Sequence, residues 1–233
     1  MTKTPLVLIP GLLCDARLWT HQQNNLSDIA DIHIGDTLQD ESVGAMAERI
    51  LDAAPERFAL AGLSMGGYVS FEILRQAPER VTKLALLDTA SRPDSDEQKR
   101  RRRGLISLTS KGKFKGVTPR LLPMLIHPER MEDETLTQTI MDMAQNVGQA
   151  AFVRQQTAIL NRPDSRENLQ DIKVPTLVIC GRQDELTPVA ISEETRAGIP
   201  DARLCIIEDC GHLSSLERPQ ATTALMRDWL ENY

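Results

Sequence analysis

The stretch FALAGLSMGG, residues Phe58 to Gly67, shows the pattern on which the interpretation of the whole chain depends. An apolar run typical of a β-strand ends in Gly-x-Ser-x-Gly, and apolar residues at helical spacing follow from Tyr68 to Leu74. This succession predicts a nucleophile elbow, a strained strand-to-helix turn that exposes the hydroxyl of its serine. In such a turn a Cβ at Gly62 or Gly66 would collide with nearby backbone, so only glycine fits. Ser64 is therefore the candidate nucleophile.

Length and composition indicate an ordinary globular protein. The 233 residues suffice for one α/β domain with a full core and are too few for two such domains. Hydrophobic residues make up 41% of the chain and charged residues 26%, as is usual for this class. The formal net charge of −6 argues against general binding to nucleic acid. No run approaches the roughly 18 apolar residues of a membrane span, so no membrane partner is expected.

The N-terminal stretch and the cysteines bear on the compartment. The stretch MTKTPLVLIPGLL contains no small-residue cleavage site and is typical of a strand. The cysteines show no Cys-x-x-Cys spacing, which argues against a metal site. We therefore expect a cytoplasmic protein with reduced thiols and without a bound metal. The four cysteines are Cys14, Cys180, Cys205 and Cys210.

Strand-like and helix-like stretches alternate along most of the chain. This alternation predicts an α/β fold with a mostly parallel sheet of about six strands and helices on both faces. The candidate strands besides the one before Ser64 are Pro5–Pro10, Asp31–Asp36, Val81–Leu87, Val174–Cys180 and Arg203–Glu208.

Residues 91–171 interrupt this alternation. They contain no strand-like run, and their apolar residues follow helical spacing in four patches, one of them Leu121–Ile126. We interpret this block as a helical lid over the C-terminal edge of the sheet, inserted into a core formed by residues 1–90 and 172–233. Its apolar residues are mostly Leu, Ile and Met, and aromatic residues make up only 3% of the chain. Such a lid suits an acyl or alkyl group better than a stacked ring.

A serine nucleophile needs a base, an acid that orients the base, and an oxyanion hole. Open α/β sheets place such groups in loops at the C-terminal ends of their strands. Asp184 and His212 each follow a predicted strand in this way. The order Ser64, Asp184, His212 is the one that α/β-hydrolase architecture uses. Asp88 also ends a strand and is the alternative orienting acid.

Four separated segments resemble the α/β-hydrolase superfamily, in particular its small, capped, esterase-like serine hydrolases. They are LVLIPGLLCDARLW, GLSMGGYVSFEILRQAPERV, VPTLVICGRQDELTP and DCGHLSSLERP. The resemblance implies that Ser64 is the nucleophile, His212 the general base and acid, and Asp184 the residue that orients the imidazole. It also implies an oxyanion hole formed by the backbone N–H groups of Leu12 and Met65, and no metal or organic cofactor.

Two departures from that family are visible. Many members have His-Gly where this chain has Pro10-Gly11. The donor at Leu12 lies beyond that pair, so the departure affects how the loop is braced rather than the donor itself. The N-terminal hairpin of larger members is also missing, which agrees with a sheet of about six strands.

These observations favour a serine hydrolase that cleaves a small carboxylic ester, or a lactone or thioester, through an acyl-enzyme. The partner is then a small-molecule acyl substrate. A carbon–carbon bond hydrolase or a cofactor-free perhydrolase would use the same three residues. A ligand-binding receptor that uses the pocket without turnover is the alternative from another class. The sequence gives no prediction of oligomeric state.

Several other polar residues have two interpretations. The basic block Lys99–Arg103, continued by Lys111, Lys113 and Lys115, is either a solvated helix face or the rim of an entrance that favours anionic substrates. Cys14 lies beside the predicted oxyanion loop but is best explained as a structural cysteine. The remaining polar candidates lack a motif and are expected outside the site; they are His21, His33, His127 and Glu185.

Overall fold

A parallel sheet of six strands forms the centre of the computed structural model, which describes residues 3–112 and 114–233. The strands are β1 (Thr4–Ile9), β2 (Ala30–Ile34), β3 (Phe58–Leu63), β4 (Val81–Leu87), β5 (Thr176–Gly181) and β6 (Arg203–Ile207). Their order is β2-β1-β3-β4-β5-β6, and every neighbouring pair is parallel. Strands β3 and β5 are buried along their whole length, as expected for strands covered on both faces. The predicted α/β fold and number of strands are confirmed.

Helices cover both faces of the sheet. They are α1 (Thr20–Leu26), α2 (Val43–Ala53), α3 (Met65–Gln76), α4 (Asp96–Ser110), α5 (Glu134–Leu160), α6 (Val189–Gly198), α7 (Ser214–Glu217) and α8 (Pro219–Asn232). Successive residues of β1 point to opposite faces, so Leu6 belongs to one core cluster and Val7 to the other. Trp19 and Trp229 are fully buried in the first cluster. Within the described residues, no helix is long and apolar enough to cross a membrane.

Residues 91–171, here called the insertion, leave the sheet and return to it between adjacent strands. Strands β4 and β5 are paired neighbours, with Leu84 opposite Thr176. The insertion contains α4 and α5, and it contains no strand among the residues that the structure describes. Because the flanking strands pair directly, the sheet continues beneath the insertion without a gap.

The insertion differs from the predicted helical patches in two places. The patch Leu121–Ile126 forms only a 3-10 turn at Leu122–Met124. Pro123 lies within it, and because a proline has no N–H to donate and clashes with the preceding turn, no helix runs through this position from the residues before it. The last two patches belong to the single element α5, which is kinked at Gly148, where φ is +75°. Glycine tolerates this left-handed backbone without strain.

Candidate active site

Ser64 occupies the tight turn between β3 and α3. Its φ of +55° and ψ of −114° are rare for a residue with a side chain. Three hydrogen bonds hold this backbone in place. The Ser64 N–H donates to the carbonyl of Leu87 at 2.9 Å, and the Ser64 carbonyl accepts from the Gly67 N–H at 2.9 Å and from the Thr89 hydroxyl at 2.7 Å. These bonds therefore hold the backbone of Ser64 in the turn conformation without help from a substrate.

The glycines on either side of Ser64 are required by close backbone approach. A Cβ on Gly62 would lie 2.3 Å from the carbonyl oxygen of Gly66, and one on Gly66 would lie 2.1 Å from the carbonyl oxygen of Ile9. Both distances are far shorter than a van der Waals contact. The backbone thus has the crowding that the sequence pattern predicts.

A continuous chain of hydrogen bonds joins the three residues predicted for the site. His212 Nε2 lies 2.9 Å from Ser64 Oγ, and His212 Nδ1 lies 2.8 Å from Asp184 Oδ2. Asp184 and His212 are 3% and 4% exposed, respectively, so bulk water does not compete for these bonds. The imidazole is therefore placed to take the proton of the serine hydroxyl while the carboxylate holds the opposite nitrogen.

Asp184 is held as a charged acceptor. Its Oδ1 accepts hydrogen bonds from the N–H groups of Leu186 and Thr187 at 2.8 and 2.9 Å, and its Oδ2 accepts from the Thr187 hydroxyl at 2.6 Å. Burial opposes the charge of this carboxylate, but the attraction of His212 and these bonds lower the pKa of Asp184 to about 2. Burial likewise opposes charging of the imidazole, and the charge of Asp184 outweighs it and raises the pKa of His212.

The alternative acid, Asp88, forms hydrogen bonds with other residues than His212. It is fully buried and accepts hydrogen bonds from the Gly181 N–H at 3.0 Å and the Ser214 N–H at 3.1 Å, and it also bonds the Ser214 hydroxyl. Burial, followed by the charge of Asp184, raises the pKa of Asp88. Within the described residues, no hydrogen bond joins Asp88 to His212. The structure thus brings Asp184, and not Asp88, against the imidazole.

A cavity of about 520 Å³ opens above Ser64 between the sheet edge and the insertion. Ser64, His212 and Leu12 line it together with residues of α4, α5 and the segment between them. Cys14 also lines it, but burial raises the pKa of the Cys14 thiol to about 12, so the group remains protonated. This agrees with the structural role expected for that cysteine.

Only part of the basic block of the insertion lies at the cavity. Arg101, Arg102 and Lys115 line the cavity, whereas the other described members of the block do not. Those others are Lys99, Arg100, Arg103 and Lys111. Lys113 lies outside the described residues. Part of the block is therefore an exposed helix face and part belongs to the cavity wall.

Comparison with known proteins agrees with this geometry. Residues 4–219 match the family model described as alpha/beta hydrolase fold. The chain belongs to the α/β-hydrolase fold family. The matched range includes the described parallel sheet and the strand-to-helix turn at Ser64 of this hydrolase.

Relatives of this α/β hydrolase carry hydrolase and esterase names. The chain is 30% identical over 245 residues to an Azorhizobium caulinodans protein named as a carbamate hydrolase, covering 96% of this chain and 89% of that one. It is 28% identical over 231 residues to the pimeloyl-[acyl-carrier protein] methyl ester esterase of Nitrosomonas europaea, covering 92% and 91%. A thermophilic esterase from Thermogutta terrifontis superposes with a TM-score of 0.88 at 28% identity, covering 98% and 90%. The protein is a hydrolase enzyme.

The loop predicted to supply one oxyanion donor in this hydrolase is braced by the insertion. Leu13 has a φ of +60°, and its N–H donates to Oε1 of Gln155 on α5 at 3.1 Å. The Gln155 amide in turn donates to the carbonyl of Thr37 at 3.3 Å. Gln155 is fully buried, and it supplies the bracing that the departure at Pro10 left unexplained. No sequence pattern indicates this role, because Gln155 lies in no motif.

The predicted donors themselves occupy suitable positions in the chain. Leu12 lines the cavity in the loop after β1, and Met65 is the first residue of α3, directly after Ser64. Outside regular helix and strand bonding, neither N–H donates to another group within the described part of the chain. Their role in an oxyanion hole remains a prediction.

A buried glutamate ties the His212 loop of the hydrolase to the insertion. Glu217 Oε1 accepts from the N–H groups of Gly211 and Leu213 at 3.0 and 3.2 Å, and its Oε2 accepts from the His127 N–H at 2.7 Å. The His212 N–H donates to the carbonyl of Leu125 at 3.0 Å. The backbone on either side of His212 and the N–H of His212 itself are thus held by hydrogen bonds, some of them to residues about 90 positions away in the sequence.

The residues expected outside the site do lie elsewhere in this hydrolase. The ring of His21 bonds the Thr223 hydroxyl at 2.7 Å, and that of His33 lies beside Asp31. Glu185 is exposed. His127 contributes a backbone N–H to Glu217, and its ring accepts a hydrogen bond from the backbone N–H of Glu129; neither contact is to Ser64.

Proposed function

We propose that this hydrolase cleaves a small carboxylic ester, or a lactone or thioester, through an acyl-enzyme formed on Ser64. The observation that carries the proposal is the hydrogen-bond chain from Ser64 Oγ through His212 to Asp184, with distances of 2.9 and 2.8 Å. That chain ends in the wall of a cavity large enough for a small organic substrate. The esterase names among the relatives support the same class of substrate.

The first half of the reaction transfers the acyl group to the enzyme. Ser64 Oγ attacks the carbonyl carbon as its proton passes to His212 Nε2, and the carboxylate of Asp184 stabilises the imidazolium through Nδ1. The backbone N–H groups of Leu12 and Met65 donate to the oxyanion of the tetrahedral intermediate. His212 then gives the proton to the departing alkoxide, which leaves as the alcohol.

The second half releases the acid. Water replaces the alcohol, His212 Nε2 takes its proton, and the hydroxide oxygen attacks the acyl carbon. The intermediate collapses as the proton returns to Ser64 Oγ, which regenerates the hydroxyl. His212 is buried yet lines the cavity, which suits a group that takes up one proton and releases it again in each half of the reaction.

A fluorophosphonate label combined with an ester assay tests the proposal. We expect stoichiometric labelling of the parent protein and hydrolysis of 4-nitrophenyl butyrate. Ser64→Ala should lose both while keeping the far-UV circular dichroism spectrum of the parent. Ser107→Ala removes an exposed hydroxyl that does not line the cavity, and it should retain both signals.

Two results would contradict the proposal. One is a label that persists in Ser64→Ala, because the reactive nucleophile would then lie elsewhere. The other is a folded parent protein that binds esters, lactones and thioesters without turning over any of them, which would indicate a receptor.

A further inference from the structure

The cavity wall is positively charged although the chain as a whole carries a net charge of −6. The lining contains one carboxylate, that of Asp94, and six arginine or lysine side chains. These six are Arg92, Arg101, Arg102, Lys115, Arg120 and Arg162. Such an excess inside one cavity of an acidic protein raises the local concentration of anions and favours their binding.

The single carboxylate is shared by two arginines. Arg102 Nε lies 2.5 Å from Asp94 Oδ2, and Arg162 Nη1 lies 2.8 Å from Asp94 Oδ1. The side chains of Asp94 and Arg162 are 2% and 6% exposed, and that of Arg102 is 21% exposed. Two guanidinium groups around one carboxylate leave a positive charge in a largely buried place, which is costly without a further anionic partner. Gln156 accepts a hydrogen bond from Arg102 Nη1 at 2.8 Å but brings no charge.

This cluster lies close to the candidate nucleophile. The guanidinium carbon of Arg162 is 4.2 Å from the ring centroid of Tyr68. Tyr68 follows Ser64 by one turn of α3, a rise of roughly 6 Å. Arg162 Nε is buried and has no hydrogen-bond partner within the described residues. Ser64, Asp94, Arg102 and Arg162 all line the same cavity, so a substrate bound at Ser64 shares that cavity with the cluster.

Other cations around the cavity are free to bind an anion. Within the described part of the chain, no salt bridge pairs Arg101, Arg120 or Lys115 with a carboxylate, whereas Arg92 is paired with Glu194. The lining between these cations is apolar and includes Leu105, Leu108, Phe114 and Leu121. The wall thus offers an apolar surface for methylene groups beside fixed positive charge.

We propose that the cavity binds an ester whose acyl or alcohol part carries a carboxylate, and that Arg101 and Arg102 hold that carboxylate. Arg162 contributes charge rather than a two-point grip, because its Nη1 donates to Asp94 and the Ile159 carbonyl and its Nη2 to the Arg92 carbonyl. The proposal rests on the ester hydrolysis proposed above and names its substrate class. Guanidinium groups suit this task because their planar donors pair with both oxygens of a carboxylate.

Paired substrates of equal length test the charge preference. Mono-4-nitrophenyl adipate carries the carboxylate on the acyl part, and 4-nitrophenyl adipamate is its neutral counterpart. The acetate ester of 5-hydroxypentanoate and that of its amide place the same difference on the alcohol part. At 0.15 M ionic strength, where the Debye length is about 8 Å, we expect kcat/KM for the charged member of one pair to exceed that of the neutral member about tenfold.

Neighbouring arginines of α4 provide a matched control. The double variant Arg101→Gln/Arg102→Gln should reduce the charged-to-neutral ratio about fivefold or more. Arg100→Gln/Arg103→Gln removes the same charge from the same helix at exposed positions outside the cavity, and it should change the ratio less than about twofold because the charge is screened. Arg101→Gln alone, at an exposed position that lines the cavity, should lower the ratio in the same direction and replaces the double variant if that one fails to fold.

A binding measurement separates this inference from the proposed function. Calorimetry with the Ser64→Ala variant should detect monomethyl adipate more readily than methyl adipamate, and this readout does not depend on turnover. Charge-selective binding without hydrolysis of any ester would overturn the proposed function and support the cationic site. The cationic site would be overturned if kcat/KM and the calorimetric affinity were the same for the charged and the neutral member of each pair. It would also be overturned if the two double variants lowered the charged-to-neutral ratio equally.

Discussion

At the scale of the residue, the candidate site contains two buried carboxylates that the protein treats in opposite ways. Asp184 accepts bonds from two N–H groups and a hydroxyl beside an imidazole that can carry a positive charge, so its pKa falls to about 2. Asp88 has no cationic partner in direct contact among the described residues, and burial raises its pKa. The difference in surroundings, rather than in residue type, assigns them different tasks.

Asparagine substitutions distinguish the two acids. Asp184→Asn should lower kcat by on the order of 10³- to 10⁴-fold, because an amide stabilises the wrong tautomer of His212. Asp88→Asn should lower kcat far less, since its partners are Gly181 and Ser214. Steady-state kinetics on one ester, with thermal melts to confirm folding, measures both effects. The reverse ranking would make Asp88 the orienting acid.

The pH dependence of turnover follows from the raised pKa of His212. The base must be neutral to accept the serine proton, so kcat/KM falls as pH drops through that pKa. Because Asp184 raises it, we expect the midpoint of the acidic limb to lie above the ordinary histidine value of 6.5. In Asp184→Asn the charge is gone, and the limb of the residual activity should move to lower pH. A limb that stays in place after this change would show that another group titrates.

At the scale of the element, the insertion is attached to two of the loops that carry candidate catalytic groups, the loop after β1 and the His212 loop. Gln155 on α5 bonds Leu13 in the loop after β1, and Glu217 of α7 joins the His212 loop to His127 of the insertion. The bonds to Leu13 and Gly211 are buried and the bond to His127 is partly buried. Leaving a buried partner of such a bond unsatisfied costs about 1–3 kcal/mol of stability. The insertion therefore contributes to positioning as well as to the cavity wall.

Substitution of Gln155 tests that contribution. Gln155→Leu leaves the Leu13 N–H without an acceptor, so the loop should shift and kcat should fall about tenfold or more with a smaller change in KM. Gln155→Glu keeps an acceptor for Leu13 and should recover part of kcat. Gln138→Leu, at an exposed position on the same helix, is the control and should behave like the parent. Equal kcat in the parent and Gln155→Leu would show that the loop holds its shape without the bond.

The sequence predicted the elements and the site residues that lie within one local pattern. Ser64 was recognised because strand, glycines and helix are contiguous, and Asp184 and His212 because each follows a strand. Gln155, Glu217 and Arg162 were missed, because each has a partner distant along the chain and no local pattern marks such a contact. These partners are Leu13, His127 and Asp94, respectively. The apolar spacing of the patch Leu121–Ile126 predicts a helix, but spacing alone does not take account of Pro123, which interrupts a helix.

At the scale of the whole molecule, the cavity lies between the core and the insertion, and its size sets the range of substrates. Met124 and Leu125 of the insertion line it opposite residues of the sheet edge. Three large apolar side chains of its lining, Leu105, Leu108 and Leu121, are 38–49% exposed. A substrate chain that covers them gains the free energy of removing apolar surface from water.

A series of acyl esters tests this gain. We expect kcat/KM to rise from acetyl to longer acyl groups by up to about 0.8 kcal/mol for each methylene newly buried, and to stop rising where the cavity ends. Met124→Asp should flatten the rise more than it lowers acetate hydrolysis. Met141→Asp, at a half-buried position of α5 outside the cavity, should leave the slope intact. A flat profile in the parent would mean that the cavity does not select for chain length.

The direct pairing of β4 with β5 has a consequence for how such a protein diversifies. Because the sheet closes beneath the insertion, an ancestor could lengthen, shorten or exchange this segment without any new strand pairing. The freedom is limited by the contacts of Gln155, Leu125 and His127 with the core loops. A transplanted insertion would therefore have to keep an acceptor side chain at the position of Gln155 and the backbone positions of Leu125 and His127 if it is to hold the two core loops as this one does.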